Sequence, residues 1–408
     1  MPPTWFRPRG YRHFDAPVGE RFANKVLSPL FVERHAWSPL ISYVKQQKRY
    51  KPKDKKTVFK DRDIMYASHR DACIMSRYSA ETSRLLDIAY AKEGLSEAVI
   101  AYRSLGKSNY DFAARALAFA RANAPCVIIC FDVTGFFDNL DHKILKRRLA
   151  DLLGGGELPA DWYAVFKAVT KYRHVHRADL EAHAAIGPRL KSKSHEPVAT
   201  IAEVVREGIP LLPGKTPGKG IPQGTPISAT FSNLYMWDLD VAVAAACTAA
   251  GALYQRYSDD ILIVCPPASE AALTKTLIDG LASLKLEVAA DKTDRAVFDP
   301  LAPETVQYLG FNICPTGAVI RPGSLARQWR KARRTLRHTA RVGAEAVAGG
   351  KATKVYTRKV RMRFLPVGVR NFSSYARRSA KVLGNKQIVR QVRRLERMVE
   401  LTLRDMNR

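Results

Sequence analysis

A chain of 408 residues with 46% apolar and 26% charged residues has the composition of a folded protein with room for two or three lobes, which excludes disorder and fibrous repeats. Its 67 Lys and Arg face 38 Asp and Glu, and the resulting net charge of +29 exceeds what solubility requires and points to a polyanionic partner. No run of 18 uncharged apolar residues occurs, and residues 1–10 mix Pro, Arg and Trp where a leader needs an apolar stretch, so no membrane association is expected and the cytoplasm is the expected location.

Residues 1–60 are rich in Pro, Arg, Lys and aromatics without a clean period, and are expected to form an irregular basic arm. Residues 61–122 read as mainly helical, most clearly over 79–91 and 110–122. The run Cys126-Val127-Ile128-Ile129-Cys130-Phe131 is apolar throughout and closes on Asp132. That is a buried strand delivering a carboxylate at its C-terminal end. Asp141 suits the N-cap of a helix that stops at Gly154-Gly155-Gly156. Residues 155–220 hold short helical pieces and a polar loop, after which Thr225 and Pro226 open an apolar helix running to Gly251. Strands over 252–256 and 261–265 then flank Tyr257-Ser258-Asp259-Asp260, a hairpin with acid at its tip. The six cysteines, Cys73, Cys126, Cys130, Cys247, Cys265 and Cys314, form no C-x-x-C pair and read as reduced core residues.

The charge is uneven. Residues 321–408 carry 25 Lys and Arg against four acids, a net of +21. Ser324 suits an N-cap and Gly343 a stop, and between them Leu325, Trp329, Leu336 and Ala340 mark an apolar helical face. Arg327, Arg330, Lys331, Arg333, Arg334, Arg337 and Arg341 occupy the rest. A second basic helix is expected over 385–404, with Ile388, Val392, Leu395, Val399 and Thr402 as its buried stripe. Charge runs are ordinarily solvated faces. Here almost no acid offsets the base, so the cations repel one another unless an anion binds; phosphates of a nucleic acid fit better than an anionic membrane surface.

Asp132, Asp259 and Asp260 are each ordinary turn residues when taken singly. Brought side by side they repel unless a cation neutralises them, and hard divalent ions take oxygen ligands. Two Mg²⁺ ions about 3.5–4 Å apart would stabilise both attacking and leaving oxygens of a phosphoryl transfer, which suggests a nucleotidyl transferase.

The surrounding residues narrow this further. Phe131-Asp132-Val133-Thr134-Gly135-Phe136-Phe137-Asp138-Asn139-Leu140-Asp141-His142 resembles the first catalytic motif of bacterial reverse transcriptases. Gly220-Ile221-Pro222-Gln223-Gly224-Thr225-Pro226-Ile227-Ser228 with Asn233-Leu234-Tyr235 resembles their second, and Tyr257-Ser258-Asp259-Asp260 their Tyr-x-Asp-Asp box. Asp291-Lys292-Thr293 is similar to the Lys-bearing motif and Tyr308-Leu309-Gly310-Phe311 to the primer grip. Five motifs in order span residues 60–320. The resemblance implies an α+β right-hand polymerase: a basic arm over 1–60, fingers and palm over 61–320 with an antiparallel sheet, and a basic helical thumb over 321–408.

It also implies roles. Asp132, Asp259, Asp260 and the Val133 carbonyl would hold two Mg²⁺, with Mn²⁺ a possible substitute, and Lys292 would protonate the departing pyrophosphate. Phe137 would lie under the sugar and favour dNTPs; in a strand, Phe136 and Phe137 would leave opposite faces. Pro222, Gln223 and Gly224 would support nucleotide and template, while Lys60 and Arg62 would grip the triphosphate. Lys107 and Asn109, in a segment similar to one preceding the first motif of intron-type enzymes, would touch nucleic acid, as would Tyr308, Leu309 and Gly310. Arg327, Arg330, Lys331, Arg334, Arg337 and Arg341 would hold the RNA template and DNA product.

Within the family, fewer than 100 residues after the primer grip leave no room for maturase, endonuclease or ribonuclease H domains, which disfavours a group II intron enzyme. The Asn-Ala-x-x-His segment of retron enzymes is not found. Ile64-Met65-Tyr66-Ala67-Ser68-His69-Arg70-Asp71-Ala72 resembles best the stand-alone bacterial enzymes, many of them antiphage. Such enzymes commonly copy a structured non-coding RNA. Intron-like, retron and template-independent relatives remain alternatives, as do an RNA-dependent RNA polymerase and a silent binding protein.

Overall fold

The computed structural model describes residues 2–51, 56–289 and 292–406. Its centre is an antiparallel sheet of four strands in the order Asp294–Phe298, Cys126–Asp132, Asp260–Cys265, Leu253–Tyr257. The unbroken apolar run of the Cys126 strand follows from burial on both faces. Val127, Ile129 and Phe131 enter one core and Cys126 and Ile128 the other; Ile261, Ile263 and Cys265 divide from Leu262 and Val264 in the same way. Behind the first face lie the helices His69–Lys92, Ser228–Tyr235, Trp237–Ala249 and Glu270–Ser283. Against the second pack the helix Asn109–Ala122, a small sheet of Val306–Tyr308, Phe311–Cys314 and Gly317–Ile320, and the helices Phe372–Val382 and Lys386–Asp405.

Residues 2–19 hold no helix or strand, as expected of an irregular arm, but residues 20–44 differ from it. Leu40–Val44 is an interior strand, antiparallel to Asp63–Tyr66 and parallel to Arg173–His176, and Ile41 is fully buried among Val175, Leu180, Ile186 and Leu190. Two acids lace the preceding segment to the helix His69–Lys92. Asp15 accepts from the backbone N–H groups of His69 and Arg70, and Asp71 accepts from His35 at 2.7 Å and from the Ser38 N–H at 3.0 Å. The basic hairpin Gln47–Lys51 with Lys56–Lys60 pairs only with itself among the described strands.

Other expectations are met in kind and shifted in detail. Asp141 caps the helix His142–Leu152, accepting from the Lys143 and Ile144 N–H groups. The helix expected over 226–251 is two, broken at Met236, and Thr225 spends its hydroxyl on Ser228 instead of capping. The basic helix Pro322–Ala348 starts after Arg321 and runs through Gly343. That glycine makes room: a Cβ there would lie 2.5 Å from Val355 Cγ1. The helix Lys386–Asp405 buries Ile388, Val392, Leu395 and Val399 as expected, with Leu403 in place of Thr402. Ala332, Leu336, Val360, Phe364, Leu395 and Val399 form a separate C-terminal core. All six cysteines are free, and among the described residues no helix is long and apolar enough to cross a membrane.

Candidate active site

Asp132 ends the strand Cys126–Asp132, Asp260 begins Asp260–Cys265, and the antiparallel register makes them direct partners. Asp259 stands at the turn before them, and its carbonyl accepts from the Val133 N–H at 3.3 Å. The pattern that makes the strands therefore also brings three acids to one end of the sheet. Lys292 offsets part of their repulsion, with Nζ 2.8 Å from Asp132 Oδ2. The three acids and Lys292 line a cleft of about 780 Å³. Arg62 and Asn109 stand on its wall, as do Tyr308, Leu309 and Gly310, with Arg321, Phe372 and Tyr375 from the C-terminal lobe.

Among the described residues no three acidic, His or Cys side chains converge closely enough to enclose an ion as they stand. In kind, the donors suit a hard divalent cation. All are oxygens, and Asp132 already holds a cation, the Lys292 ammonium, against it.

The acidic turn is supported from beneath by residues that the motifs do not reveal. Arg256 is fully buried and forks onto Asp240, itself fully buried, through Nε at 2.7 Å and Nη2 at 2.6 Å. Burial alone would lower the guanidinium's pKa, but Asp240 overrides it and Arg256 stays charged. Its Nη1 donates to Asn233 Oδ1 and to the Ser258 carbonyl, so the fork ends on the turn that carries Asp259. The Tyr254 hydroxyl completes the shell of Asp240. The strand Leu253–Tyr257 already carries the polar Gln255, so Arg256 does not stand out in the sequence; its burial singles it out, since a buried charge survives only when paired.

The remaining expected residues divide into two groups. Arg62, Asn109, Tyr308, Leu309, Gly310 and Lys292 share the cleft with the three acids. Leu309 and Gly310 both have positive φ, +44° and +91°, as a tight turn between Val306–Tyr308 and Phe311–Cys314 requires. Tyr308 itself is buried, and its hydroxyl donates to Gln255. It anchors the turn more than it faces a ligand.

Phe137, Pro222, Gln223, Gly224, Val133 and Lys107 do not line this cleft. Phe136 and Phe137 lie in a one-turn helix, Phe136–Asn139, not in a strand, so they do not point to opposite faces: Phe136 is buried and Phe137 half-buried, edge to face with it. The Pro222-Gln223-Gly224 loop is laced to the strand Asp63–Tyr66. The Gln223 carbonyl accepts from the Met65 N–H at 2.7 Å, and a Cβ on Gly224 would lie 2.6 Å from the Met65 carbonyl oxygen. Lys107 is paired with Glu97 at 2.9 Å. Lys60 closes the strand Lys56–Lys60, and its side chain lies outside the described residues, as does Asp291 of the lysine motif. Arg327, Arg330, Lys331, Arg334, Arg337 and Arg341 all lie exposed on the helix Pro322–Ala348, at helical spacing. Arg327 also donates to Ser324, and Arg341 pairs with Glu345.

Residues 82–313 match the family model described as reverse transcriptase (RNA-dependent DNA polymerase). No curated protein matches the chain. Solved structures that match include apo telomerase from Candida tropicalis truncated from its C-terminal domain, at 13% identity over 70% of this chain and 56% of that one, with a TM-score of 0.48. Telomerase from Candida albicans in complex with the TWJ fragment of telomeric RNA matches at 14% identity over 94% and 68%, with a TM-score of 0.46. The chain thus spans between about half and two thirds of the length of those proteins.

Proposed function

The chain belongs to the reverse transcriptase (RNA-dependent DNA polymerase) family, and on that premise we propose that it copies a structured non-coding RNA into DNA, in antiphage defence, at the cleft above Asp132, Asp259 and Asp260. The observation that carries the chemical part of the reading is the register that pairs Asp132 with Asp260, with Asp259 at the adjoining turn and Lys292 on Asp132, while the template and the antiphage role rest on the resemblance of residues 64–72 to stand-alone enzymes.

In this reading Asp132, Asp259, Asp260 and the Val133 carbonyl hold two Mg²⁺ ions, which when bound supply charge neutralisation at the attacking and leaving oxygens. The protein's own groups do the rest. Lys60 and Arg62 bind the triphosphate, and the Pro222-Gln223-Gly224 loop, fixed by Met65, supports nucleotide and template. Lys292 stands close enough to Asp132 to be displaced from it when the site fills, and its ammonium then donates a proton to the departing pyrophosphate. Phe137 sets the sugar choice. Residues 61–320 act as fingers and palm, and residues 321–408 as a thumb whose net charge of +21 holds the RNA and the growing DNA.

The test is to purify the protein with its bound nucleic acid, sequence the RNA, then supply Mg²⁺ and labelled dNTPs. One structured RNA copied into complementary DNA supports the reading; mixed RNA with homopolymeric product overturns the dedicated template.

A further inference from the structure

Among the described residues other than glycine, four hold φ in the left-handed region: Tyr102, Ser258, Lys285 and Leu309. Two of these touch. Tyr102, at φ +61°, donates its hydroxyl to Oγ of Ser258, at φ +63°, over 3.0 Å, and Ser258 directly precedes Asp259. A tyrosine has no local reason to adopt this conformation, which is strained for a residue with a Cβ and persists only where the surroundings impose it.

The surroundings do impose it. The Ala101 carbonyl accepts from Asn233 Nδ2 at 2.8 Å, and Ala101 is fully buried. On the other side, the Arg103 guanidinium donates to the Ser96 and Val99 carbonyls and to Asp87. The Ile100 N–H donates to the Arg256 carbonyl, and the Arg256 N–H to the Ala98 carbonyl. Tyr102 is thus pinned between anchored neighbours to the strand that carries the acidic turn. The Asn233 that holds Ala101 also accepts from Arg256, whose same Nη1 reaches the Ser258 carbonyl. The turn is gripped twice, by Arg256 at its backbone and by Tyr102 at the Ser258 side chain.

We propose that Tyr102 is a positioning residue for nucleotidyl transfer: its hydroxyl holds the left-handed Ser258 turn and thereby sets the direction of the Asp259 carboxylate. This rests on the reading of Asp259 as part of the reacting site. Tyr102 is 44% exposed but Ser258 only 3%, so Tyr102→Phe leaves the buried Ser258 hydroxyl without this partner, whereas Ser258→Ala and the double variant remove that hydroxyl too and leave no polar group stranded.

The experiment measures single-nucleotide incorporation by the full chain on an RNA template for Tyr102→Phe, Ser258→Ala, the two combined, and Asp259→Ala with Asp260→Ala. Tyr102→Phe is expected to lower kcat about tenfold, the rate equivalent of about 1.4 kcal/mol, with dNTP KM and RNA affinity unchanged. Ser258→Ala is expected to do the same, and the double variant to lose no more than either alone. Wild-type kcat in Tyr102→Phe, or losses that multiply in the double variant, overturns the proposal. If the Asp259→Ala, Asp260→Ala protein is itself active, the assignment of the site fails instead, and the two failures are told apart.

Discussion

Lys292 has the simplest geometry of the proposed site residues. Its ammonium sits on Asp132, so a proton donor and a carboxylate share one end of the cleft. Lys292→Ala is expected to lower kcat by about 10²-fold, the low end of general acid catalysis, with dNTP KM changed far less, as read by single-turnover incorporation. Beneath the acidic turn, Asp240→Ala would leave the buried Arg256 charge unpaired and is expected to cost about 3–5 kcal/mol in denaturant unfolding. Phe137→Ala is expected to narrow the preference for dNTPs over rNTPs in competition assays, and an unchanged ratio removes its role in sugar choice. The three acids were legible because one ends an unbroken apolar run and two stand at a hairpin tip. The Arg256–Asp240 pair was not. In a chain with 67 Lys and Arg, one more arginine carries no signal until burial singles it out, and its partner lies 16 positions away on a helix.

At the level of elements, the same distinction separates what was read from what was missed. The helix Lys386–Asp405 announces itself because Ile388, Val392, Leu395 and Val399 recur within one stretch of chain. The strand Leu40–Val44 does not, since its parallel neighbour Arg173–His176 lies some 130 residues on and no local pattern records it. The segment before that strand is held by a group that responds to acid. His13 Nδ1 accepts from the Phe14 N–H, and Nε2 lies 3.2 Å from the Tyr66 carbonyl, which fixes the ring neutral with its proton on Nε2. Burial lowers its pKa to about 4, against an ordinary value of 6.5. Asp15 and the Tyr66 carbonyl act to raise it, His69 lowers it slightly, and burial wins. Because the folded value lies below the unfolded one, the unfolded chain binds the extra proton. The contribution is therefore complete above pH 6.5 and drains away as pH falls toward 4, by about 3 kcal/mol. Unfolding midpoints across that window are expected to fall with pH in the wild type and to fall less steeply in His13→Gln.

Across the whole molecule, the charge and the acids fall in different places. The net +21 of residues 321–408 lies mostly on exposed helical faces, while the three acids sit at the end of the central sheet. In the proposed reading, holding nucleic acid and reacting with it are therefore separable. Replacing Arg330, Arg334 and Arg337 with Ala is expected to weaken RNA binding and to lower the slope of log affinity against log salt by about 2, because three phosphates are then no longer neutralised by the protein. The most direct test runs the other way, on the acids alone. The Asp259→Ala, Asp260→Ala protein, given its RNA, Mg²⁺ and labelled dNTPs, is expected to bind RNA as the wild type does and to incorporate no label. Incorporation at the wild-type rate would contradict the assignment of the active site.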